Sequence, residues 1–518
     1  MSEIRIQKEH LWIFILIGIL VVSLSLNIYI TWKTPLAFGD EGYYAARGEY
    51  ILKNLEIPKY VDIYSKSVLF REYWTDVPFI ILLVSNFFIF GEGFVKIMNP
   101  ILLFLTGLML FLFVRRIYSE RSGFFAAFFL VIMPAMITYA VLLYADMLLA
   151  LLFVTSIYFL YRALEENKMV YLISSGAVAG LAALTKQTGL LLPLLFLFIL
   201  FLYKKDVLKR FGIILLVFII VITPWFGIHN YLQFGNPGLP GMNYLGLNFP
   251  STKVTFGELP KASENPYSGE TPGGGGASAG FFQAGMVNFI EFAYNLNVFV
   301  FVLGGMSLLA LRRKRKDLFI LFSLLILAPF IIQQGIGGRI EELSRFLLPL
   351  AAVMAVGAGV FADRIYSFLE EFHKVIALLF VLVILLWGIS IAYAKDMSLE
   401  TVKDWPQGFI DGCKWVRMNT PKDSILLTIW QAPTEYHCQR GAVWGQLPDI
   451  NTIVFDGDPD AYEHLKLHGI DYVYIQKFSI SFGRNWPNYP VSFVNYLRNS
   501  PNYENVYENN DVILFKVK

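Results

Sequence analysis

Two adjacent carboxylates, Asp40 and Glu41, lie shortly after the first apolar run of the chain, in the segment GDEGYYAARGEYILKN. A carboxylate at the boundary between membrane and water can act as a general base on an acceptor hydroxyl or amine. Its neighbour would bind the acceptor or tune the first carboxylate by like-charge repulsion. A structural alternative stays open, because Asp at a helix start is a common N-cap and Glu in the first turn favours the helix dipole.

The residues that follow these carboxylates are compatible with an amphipathic helix. Tyr44, Ile51 and Leu55 recur at helical spacing and would form its apolar face. Most charged residues of the segment fall elsewhere, namely Arg47, Glu49, Lys53 and Glu56. The pattern predicts a helix lying in the membrane interface, with Asp40 at its N-terminus and Tyr44 as a candidate substrate contact at headgroup level.

Other charged side chains lie beside apolar runs on the face that the predicted topology makes the outer one. They are Glu72, Asp76, Asp146, Lys186 and Arg345. Each one alone is explained by snorkelling or helix capping. Together they fit a substrate with a lipid tail in the bilayer and an anionic headgroup, because arginine offers a bidentate phosphate contact and lysine a point charge.

His229 follows another apolar run and is a further candidate substrate contact. With Asp40 or Glu41 it could ligate a metal ion, but no second histidine lies at ligand spacing. The sequence therefore favours an interfacial histidine, and it leaves the use of a divalent cation open.

The composition is that of an integral membrane protein. Of the 518 residues, 56% are hydrophobic and 16% are charged, whereas soluble domains carry about 25% charged residues. The mean hydropathy of +0.55 agrees. The net charge of +2 gives no indication of a nucleic-acid partner.

About eleven apolar runs are candidate transmembrane helices, since a bilayer core of about 30 Å needs about 20 helical residues. Their ranges are 11–32, 93–114, 122–143, 147–163, 170–185, 189–203, 211–228, 287–310, 317–335, 345–365 and 375–394. Residues 77–91 are short, and we place them as an interfacial or re-entrant helix in a first outer loop, 33–91. Basic residues then concentrate in alternate loops, namely 115–121, 162–168, 204–210, 312–316 and 363–374. This bias predicts a cytoplasmic N-terminus.

An odd number of spans places residues 395–518 on the extracytoplasmic side, after a transmembrane domain of residues 1–394. Strand-length apolar runs at 424–430, 471–476 and 511–517, with a helical segment at 458–469, predict a small α/β domain there. Its two cysteines, Cys413 and Cys438, would pair in an oxidising compartment or remain as buried thiols. A second long outer loop, 229–286, contains the run TPGGGGASAG, which lacks the lysine and the strand-to-helix context of a phosphate-binding loop.

An ordered set of motifs resembles the GT-C glycosyltransferases of the protein-O-mannosyltransferase and aminoarabinose-transferase type. The set includes FGDEGYYAARGEYILKN, LLYADMLLALLF, GAVAGLAALTKQTGLLLPLL, TPWFGIHNYLQFGNP and RFLLPLAAVMAVGAG, and it extends over about residues 11–365. The resemblance implies a polytopic, mainly α fold of the GT-C type. It also implies a polyprenyl-phosphate-linked sugar as donor and no nucleotide-binding fold.

By the same resemblance, Asp40 matches the position of the catalytic base and Glu41 that of its acidic partner. Lys186 matches the lysine of a Thr-Lys turn, and Arg345 the arginine before a Leu-Leu-Pro span, both as contacts to the lipid phosphate. One departure concerns the segment TDVPF at 75–79, where many relatives have Lys-Pro-Pro-Leu. A basic contact to the donor phosphate is missing there, and Lys66 or Arg71 would have to replace it.

The sequence thus predicts a multi-pass membrane enzyme that moves a sugar from a dolichyl or undecaprenyl phosphate donor to a glycan, lipid or protein acceptor, with inversion. Two other functions remain open. A transporter or lipid flippase would also use charges beside the membrane, although no inverted internal repeat is apparent. An oligosaccharyltransferase-like enzyme would move a whole glycan.

Overall fold

A computed structural model of the chain describes residues 11–33, 40–56, 78–203, 206–229, 231–232, 297–310, 348–400, 405–443, 461–467, 469–477 and 491–518. Several predicted features lie outside these ranges. They are Glu72, Asp76, Arg345, the candidate span 317–335, part of the span 287–310, and almost all of the outer loop 229–286.

Helices form the described chain up to residue 400. They are α1 Leu11–Lys33, α2 Asp40–Asn54, α3 Pro78–Phe88, α4 Glu92–Lys96, α5 Met98–Ile117, α6 Glu120–Val131, α7 Pro134–Val141, α8 Ala145–Glu166, α9 Met169–Thr185, α10 Leu192–Tyr203, α11 Val207–Ile222, α12 Val298–Ala310, α13 Leu348–Phe372 and α14 Lys374–Glu400. A 3-10 helix, Gln187–Leu191, joins α9 to α10, and a π-helix, Thr223–His229, extends α11. Helices suit these apolar runs because hydrocarbon offers the backbone no hydrogen-bond partner outside its own segment.

Six helical segments of the described residues are long and apolar enough to cross a membrane. They are Leu11–Lys33, Glu92–Ile117, Ala145–Glu166, Val207–His229, Leu348–Phe372 and Lys374–Lys395. Helices α6 and α7 together could form a seventh span, and three shorter apolar helices, Pro78–Phe88, Met169–Thr185 and Thr188–Phe201, accompany them. The prediction of a multi-pass membrane protein is confirmed, whereas the count of eleven spans extends over residues that the structure does not describe.

The predicted span 122–143 is bent and consists of two helices. Helices α6 and α7 meet at an angle of 59°. Pro134 is the first residue of α7, and a proline cannot donate the backbone hydrogen bond that would continue the preceding helix. The chain therefore turns here inside the bundle.

Helix α3 has 11 residues, which corresponds to about 17 Å at about 1.5 Å per residue. This length is roughly half of a bilayer core. Helix α3 packs against α2, α4 and α9. Its length agrees with the prediction that residues 77–91 do not cross the membrane.

The centre of the helical bundle is α6, which packs against α1, α5 and α13. Four of its phenylalanines have no exposed surface, namely Phe124, Phe125, Phe128 and Phe129. The ring centroids of Phe124 and Phe125 lie 5.3 Å apart in an edge-to-face arrangement, which is favourable for aromatic side chains. Helix α6 is therefore the interior helix around which the others are arranged.

The loops predicted to be cytoplasmic meet at one end of this bundle. Arg116 pairs with Glu165 and Glu166 at 2.7 and 2.9 Å. Arg121 pairs with Asp363 at 3.0 Å, and Arg210 donates to Oδ1 of Asn167. Four of the five basic loops thus share one end, as the charge bias predicts, and the fifth, 312–316, lies outside the described residues.

The C-terminal residues form a five-stranded sheet with helices around it. Its elements are α15 Gln407–Asn419, β1 Ile425–Leu427, α16 Gln431–Cys438, β2 Gly441–Val443, α17 Ala461–Leu467, β3 Tyr472–Gln476, α18 Val491–Asn499, β4 Tyr503–Glu508 and β5 Val512–Val517. The strand order is β2-β1-β3-β5-β4, with β2, β1 and β3 parallel and β5 antiparallel to both β3 and β4. The predicted strands and the helix near 458–469 are all found, and the sheet has its own cluster of buried apolar residues.

Two features bear on the predicted domain organisation. Cys413 of α15 and Cys438 of α16 form a disulfide bond, so of the two alternatives the pairing is correct. The predicted division after residue 394 falls within α14, and the division into two domains stays a prediction.

Candidate functional site

Helix α2 carries the two predicted catalytic carboxylates. It begins at Asp40, so this residue does stand at the N-terminus of a helix, as predicted. The side chain of Glu41 is buried, with 3% of the residue exposed. Its Oε1 accepts a hydrogen bond of 2.5 Å from the backbone N–H of Leu143. Glu41 therefore joins α2 to the turn between α7 and α8.

This turn is held from the other side by Asn99 of α5. The Nδ2 atom of Asn99 lies 3.1, 2.5 and 3.0 Å from the carbonyl oxygens of Tyr139, Leu142 and Tyr144. Asn99 is completely buried, and a buried amide without partners would be costly. Sequence reasoning did not single out Asn99, although a lone asparagine in the apolar run IMNPILL was a visible signal.

Asp146 stands in the first turn of α8, three residues after Leu143, and forms an ion pair with Lys186. The Asp146 side chain is 3% exposed, whereas that of Lys186 retains 16% exposure. Two residues 40 positions apart in sequence thus meet, and the lysine keeps a path to solvent or to a ligand. If an anionic ligand bound beside Lys186, the positive charge of the lysine would interact with both the ligand and Asp146.

The turn that carries Lys186 is held close to α9. Lys186 has an extended backbone at the end of α9. A Cβ on Gly189 would lie 2.3 Å from the carbonyl carbon of Ala182, so only glycine allows this approach. The predicted tight turn at TKQTG is confirmed, and it places the lysine beside the N-terminus of α8.

The structure therefore brings Glu41, Asp146 and Lys186 to one end of the bundle, at the start of α2, the start of α8 and the end of α9. This end is opposite to the basic loops, because Asp146 lies in the first turn of α8 and Glu166 is the last residue of the same helix. The predicted convergence of cations and carboxylates on one face is confirmed for these three residues. Arg345 and Glu72 lie outside the described residues.

Two other predicted substrate contacts lie near aromatic side chains. Tyr44 is buried in α2, and its ring contacts that of Tyr43 edge to face at 5.6 Å. His229 ends the π-helix and stacks on Trp225, with ring centroids 4.2 Å apart. Their roles as substrate contacts stay predictions.

The predicted faces of α2 are wrong at two positions. Leu55, expected on the apolar face, follows the end of the helix with a positive φ of 53° and is 89% exposed. Arg47, expected on the polar face, has no exposed surface. The reason is that α2 packs between α3 and α16, so a second side of the helix is covered by the C-terminal residues.

Among the described residues, no three His, Cys, Asp or Glu side chains come together in a way that could hold a metal ion. The described part of the site consists of the Asp146–Lys186 ion pair and the Glu41 carboxylate. Such a site can position an acceptor and stabilise negative charge on a leaving group.

Comparison with known proteins gives one family match and several structural matches. The profile of the family described as dolichyl-phosphate-mannose-protein mannosyltransferase matches residues 77–227, which include α3, the α7–α8 turn and Lys186. A sequence search of curated proteins gives no match.

Solved structures resemble nearly the whole chain. ArnT from Cupriavidus metallidurans, bound to undecaprenyl phosphate, has a TM-score of 0.63 at 15% identity, with 98% of both chains covered. An oligosaccharyltransferase from Archaeoglobus fulgidus has a TM-score of 0.63 at 16% identity, with 88% of this chain and 67% of that chain covered. The archaeal oligosaccharyltransferase AglB, in complex with an inhibitory peptide and a dolichol-phosphate, has a TM-score of 0.60 at 16% identity, with 89% and 69% covered. At these identities the likeness establishes the fold, and the chain therefore has the fold of the GT-C glycosyltransferases that its motifs resemble.

Proposed function

We propose that this protein is a membrane glycosyltransferase that moves a sugar from a polyprenyl phosphate to an acceptor, with inversion at the sugar carbon. The observation that carries the proposal is the meeting of Glu41, Asp146 and Lys186 at one end of a GT-C bundle. The family match over residues 77–227 and the structural likeness to ArnT point to the same donor class.

In the proposed reaction, Asp40 is the general base that removes the proton from the acceptor. The acceptor oxygen or nitrogen then forms a bond to the anomeric carbon as the bond to the lipid phosphate breaks. Glu41 keeps the start of α2 against the α7–α8 turn, so that the base has a defined position. Orientation of this kind supplies a large part of the rate enhancement in group transfer.

Lys186 is proposed to contact the phosphate that leaves with the lipid. Its charge would stabilise the negative charge that grows on the phosphate in the transition state. The buried Asp146 orients the ammonium group through the ion pair. Arg345 remains a second proposed phosphate contact.

The proposed site faces the extracytoplasmic side. The Cys413–Cys438 disulfide lies in the C-terminal residues, which contact α2 through α16. Disulfides persist in oxidising compartments, whereas the basic loops at the opposite end favour the cytoplasm. The proposed topology therefore has a cytoplasmic N-terminus and an extracytoplasmic C-terminus.

A single sugar is the proposed donor group, rather than a whole glycan. This choice is supported by the match over residues 77–227 to the family described as dolichyl-phosphate-mannose-protein mannosyltransferase, because that description names a single mannose on the lipid phosphate. An oligosaccharyltransferase-like reaction is the second candidate, favoured by the equal TM-score.

The test uses the purified chain in lipid nanodiscs with a panel of polyprenyl-phosphate-linked sugars. We expect loss of one donor and release of free lipid phosphate with crude membrane lipids as acceptors. Asp40→Asn should abolish this activity, whereas Glu56→Gln, which removes an exposed carboxylate just after α2, should retain it. Full activity of Asp40→Asn would refute its role as base.

A chelator completes the test, because the proposed chemistry uses no metal ion. We expect EDTA to leave donor consumption unchanged. If EDTA abolishes the activity and a divalent cation restores it, the carboxylates at the start of α2 would be metal ligands rather than a base and its partner.

A further inference from the structure

Helix α16 of the C-terminal residues lies in direct backbone contact with α2. A Cβ on Gly42 would lie 2.6 Å from the carbonyl carbon and oxygen of Ala432 and 3.0 Å from the nitrogen of Pro433. Real Cβ atoms do not approach backbone so closely, so only glycine allows this contact. Gly42 immediately follows the two acidic residues, and α16 therefore touches the segment that carries the proposed base.

A buried ion pair joins the same two helices. Nη1 of Arg47 lies 3.7 Å from Oε2 of Glu435, and the two side chains are 0% and 3% exposed. Arg47 also stacks on the ring of Tyr43, with its Cζ 3.5 Å from the centroid, and donates to the Tyr43 carbonyl at 3.0 Å. The guanidinium group thus has a fixed orientation on α2 and presents its charge to α16.

The far end of α16 is fixed to α15, a helix that packs on the C-terminal sheet. Cys438, its last residue, is bonded to Cys413 of α15, and both cysteines are buried. The eight residues of α16 therefore connect α2 at one side to the core of the sheet at the other. A flexible covalent link between two domains would need neither a buried ion pair nor a backbone contact.

We infer that α16 is a positioning element for the proposed active site, and that Arg47, Glu435 and the Cys413–Cys438 disulfide are positioning residues. The inference rests on the proposed function. Charged groups removed from water require a defined geometry, so the pair allows one register of α2 against α16. That register sets the place of Asp40 and Glu41, and small displacements of catalytic groups reduce the rate of the chemical step.

The first test separates the two helices without touching a charged group. Gly42→Ala must displace the backbone of α16, whereas Gly212→Ala on α11 meets no atom within 4 Å and is the matched control. We expect Gly42→Ala to lower kcat at least tenfold with the KM for the donor within twofold. Hydrogen exchange of the α2 amides should become faster in Gly42→Ala and remain unchanged in Gly212→Ala.

The second test restores the contact by a different route. Glu435→Arg should lower kcat and speed exchange in α2, and the charge exchange Arg47→Glu/Glu435→Arg should recover at least part of both. The double variant Cys413→Ser/Cys438→Ser should lower kcat in the same direction. A purely structural role would change protein yield and unfolding temperature without this recovery of kcat.

The outcomes separate this inference from the proposed function. If the wild-type chain consumes no donor, the proposed function fails. Hydrogen exchange of the α2 amides in the variants then decides by itself whether α16 holds α2 in place. If the chain is active and Gly42→Ala speeds exchange in α2 but leaves kcat unchanged, the positioning role is wrong. Unchanged exchange in both Gly42→Ala and Glu435→Arg would overturn it as well.

Discussion

Replacement of Lys186 by methionine separates its structural role from its proposed role on the lipid phosphate. The substitution keeps most of the length of the side chain but removes the charge that faces Asp146. The Asp146 carboxylate, which is almost fully buried, would then lose its cationic partner. Removing one partner of a buried ion pair destabilises a protein by about 3–5 kcal/mol.

The structural part of this loss should be recoverable. Lys186→Met/Asp146→Leu removes both charges, and replacement of a buried pair by apolar groups is often neutral or stabilising by about 1–4 kcal/mol. We expect the double variant to unfold at a higher temperature than Lys186→Met alone. Thermal unfolding of the full chain in nanodiscs measures this difference.

The catalytic part of the loss should not be recoverable. One electrostatic contact to a transition state contributes about 10²–10³-fold to kcat. We therefore expect a loss of this size in Lys186→Met and an equal or larger loss in Lys186→Met/Asp146→Leu, measured as release of lipid phosphate. Lys168→Met is the control, because Lys168 is an exposed lysine at the opposite end of α8 and α9.

Recovery of activity in the double variant would refute this reasoning. Lys186 would then serve only as the partner of Asp146, and the phosphate contact would have to lie elsewhere. Equal stability of Lys186→Met and the wild type would contradict the buried ion pair itself.

Two further predictions concern groups outside the ion pair. Asn99→Ala removes the side chain that bonds the carbonyl oxygens of Tyr139 in α7 and of Leu142 and Tyr144 in the α7–α8 turn, so it should lower the free energy of unfolding by about 1–3 kcal/mol. Asn86→Ala removes an exposed hydrogen bond within α3 and should have little effect in the same thermal assay. The hydrogen bond from Lys477 holds the pKa of Glu508 below its ordinary value of 4.5. The ionised carboxylate therefore stabilises the C-terminal sheet at pH values above 4.5. This contribution is lost as the pH falls through the lowered pKa. Glu508→Gln should therefore reduce the drop in unfolding temperature between pH 7 and about pH 3, and an identical drop in both proteins would contradict this.

Much of the candidate site was visible in the sequence, but its connections were not. Asp146 and Lys186 were each identified from their positions beside apolar runs, and the structure shows that they pair. Asn99 was missed because its partners are backbone carbonyls about 40 residues away. Arg47 was placed on the wrong face of α2 because its cover, α16, lies nearly 400 residues later in the chain.

The sequence by itself determined the class of the protein. Long apolar runs can be stable in hydrocarbon only as helices, which satisfy their own backbone hydrogen bonds, and basic residues mark alternate loops. Apolar runs of strand length, separated by turn residues, were sufficient to locate three strands of the C-terminal sheet. The motifs, and their order along the chain, were sufficient to predict the GT-C fold.

Only the tertiary structure decided which polar groups meet. Three contacts join residues that are far apart in sequence. They are the hydrogen bond from the Leu143 amide to the Glu41 carboxylate, the Asp146–Lys186 pair and the Arg47–Glu435 pair. Local propensity carries no information about such contacts, since they depend on how whole helices pack. Burial then gives them their strength, because a charge removed from water must find its partner inside the protein.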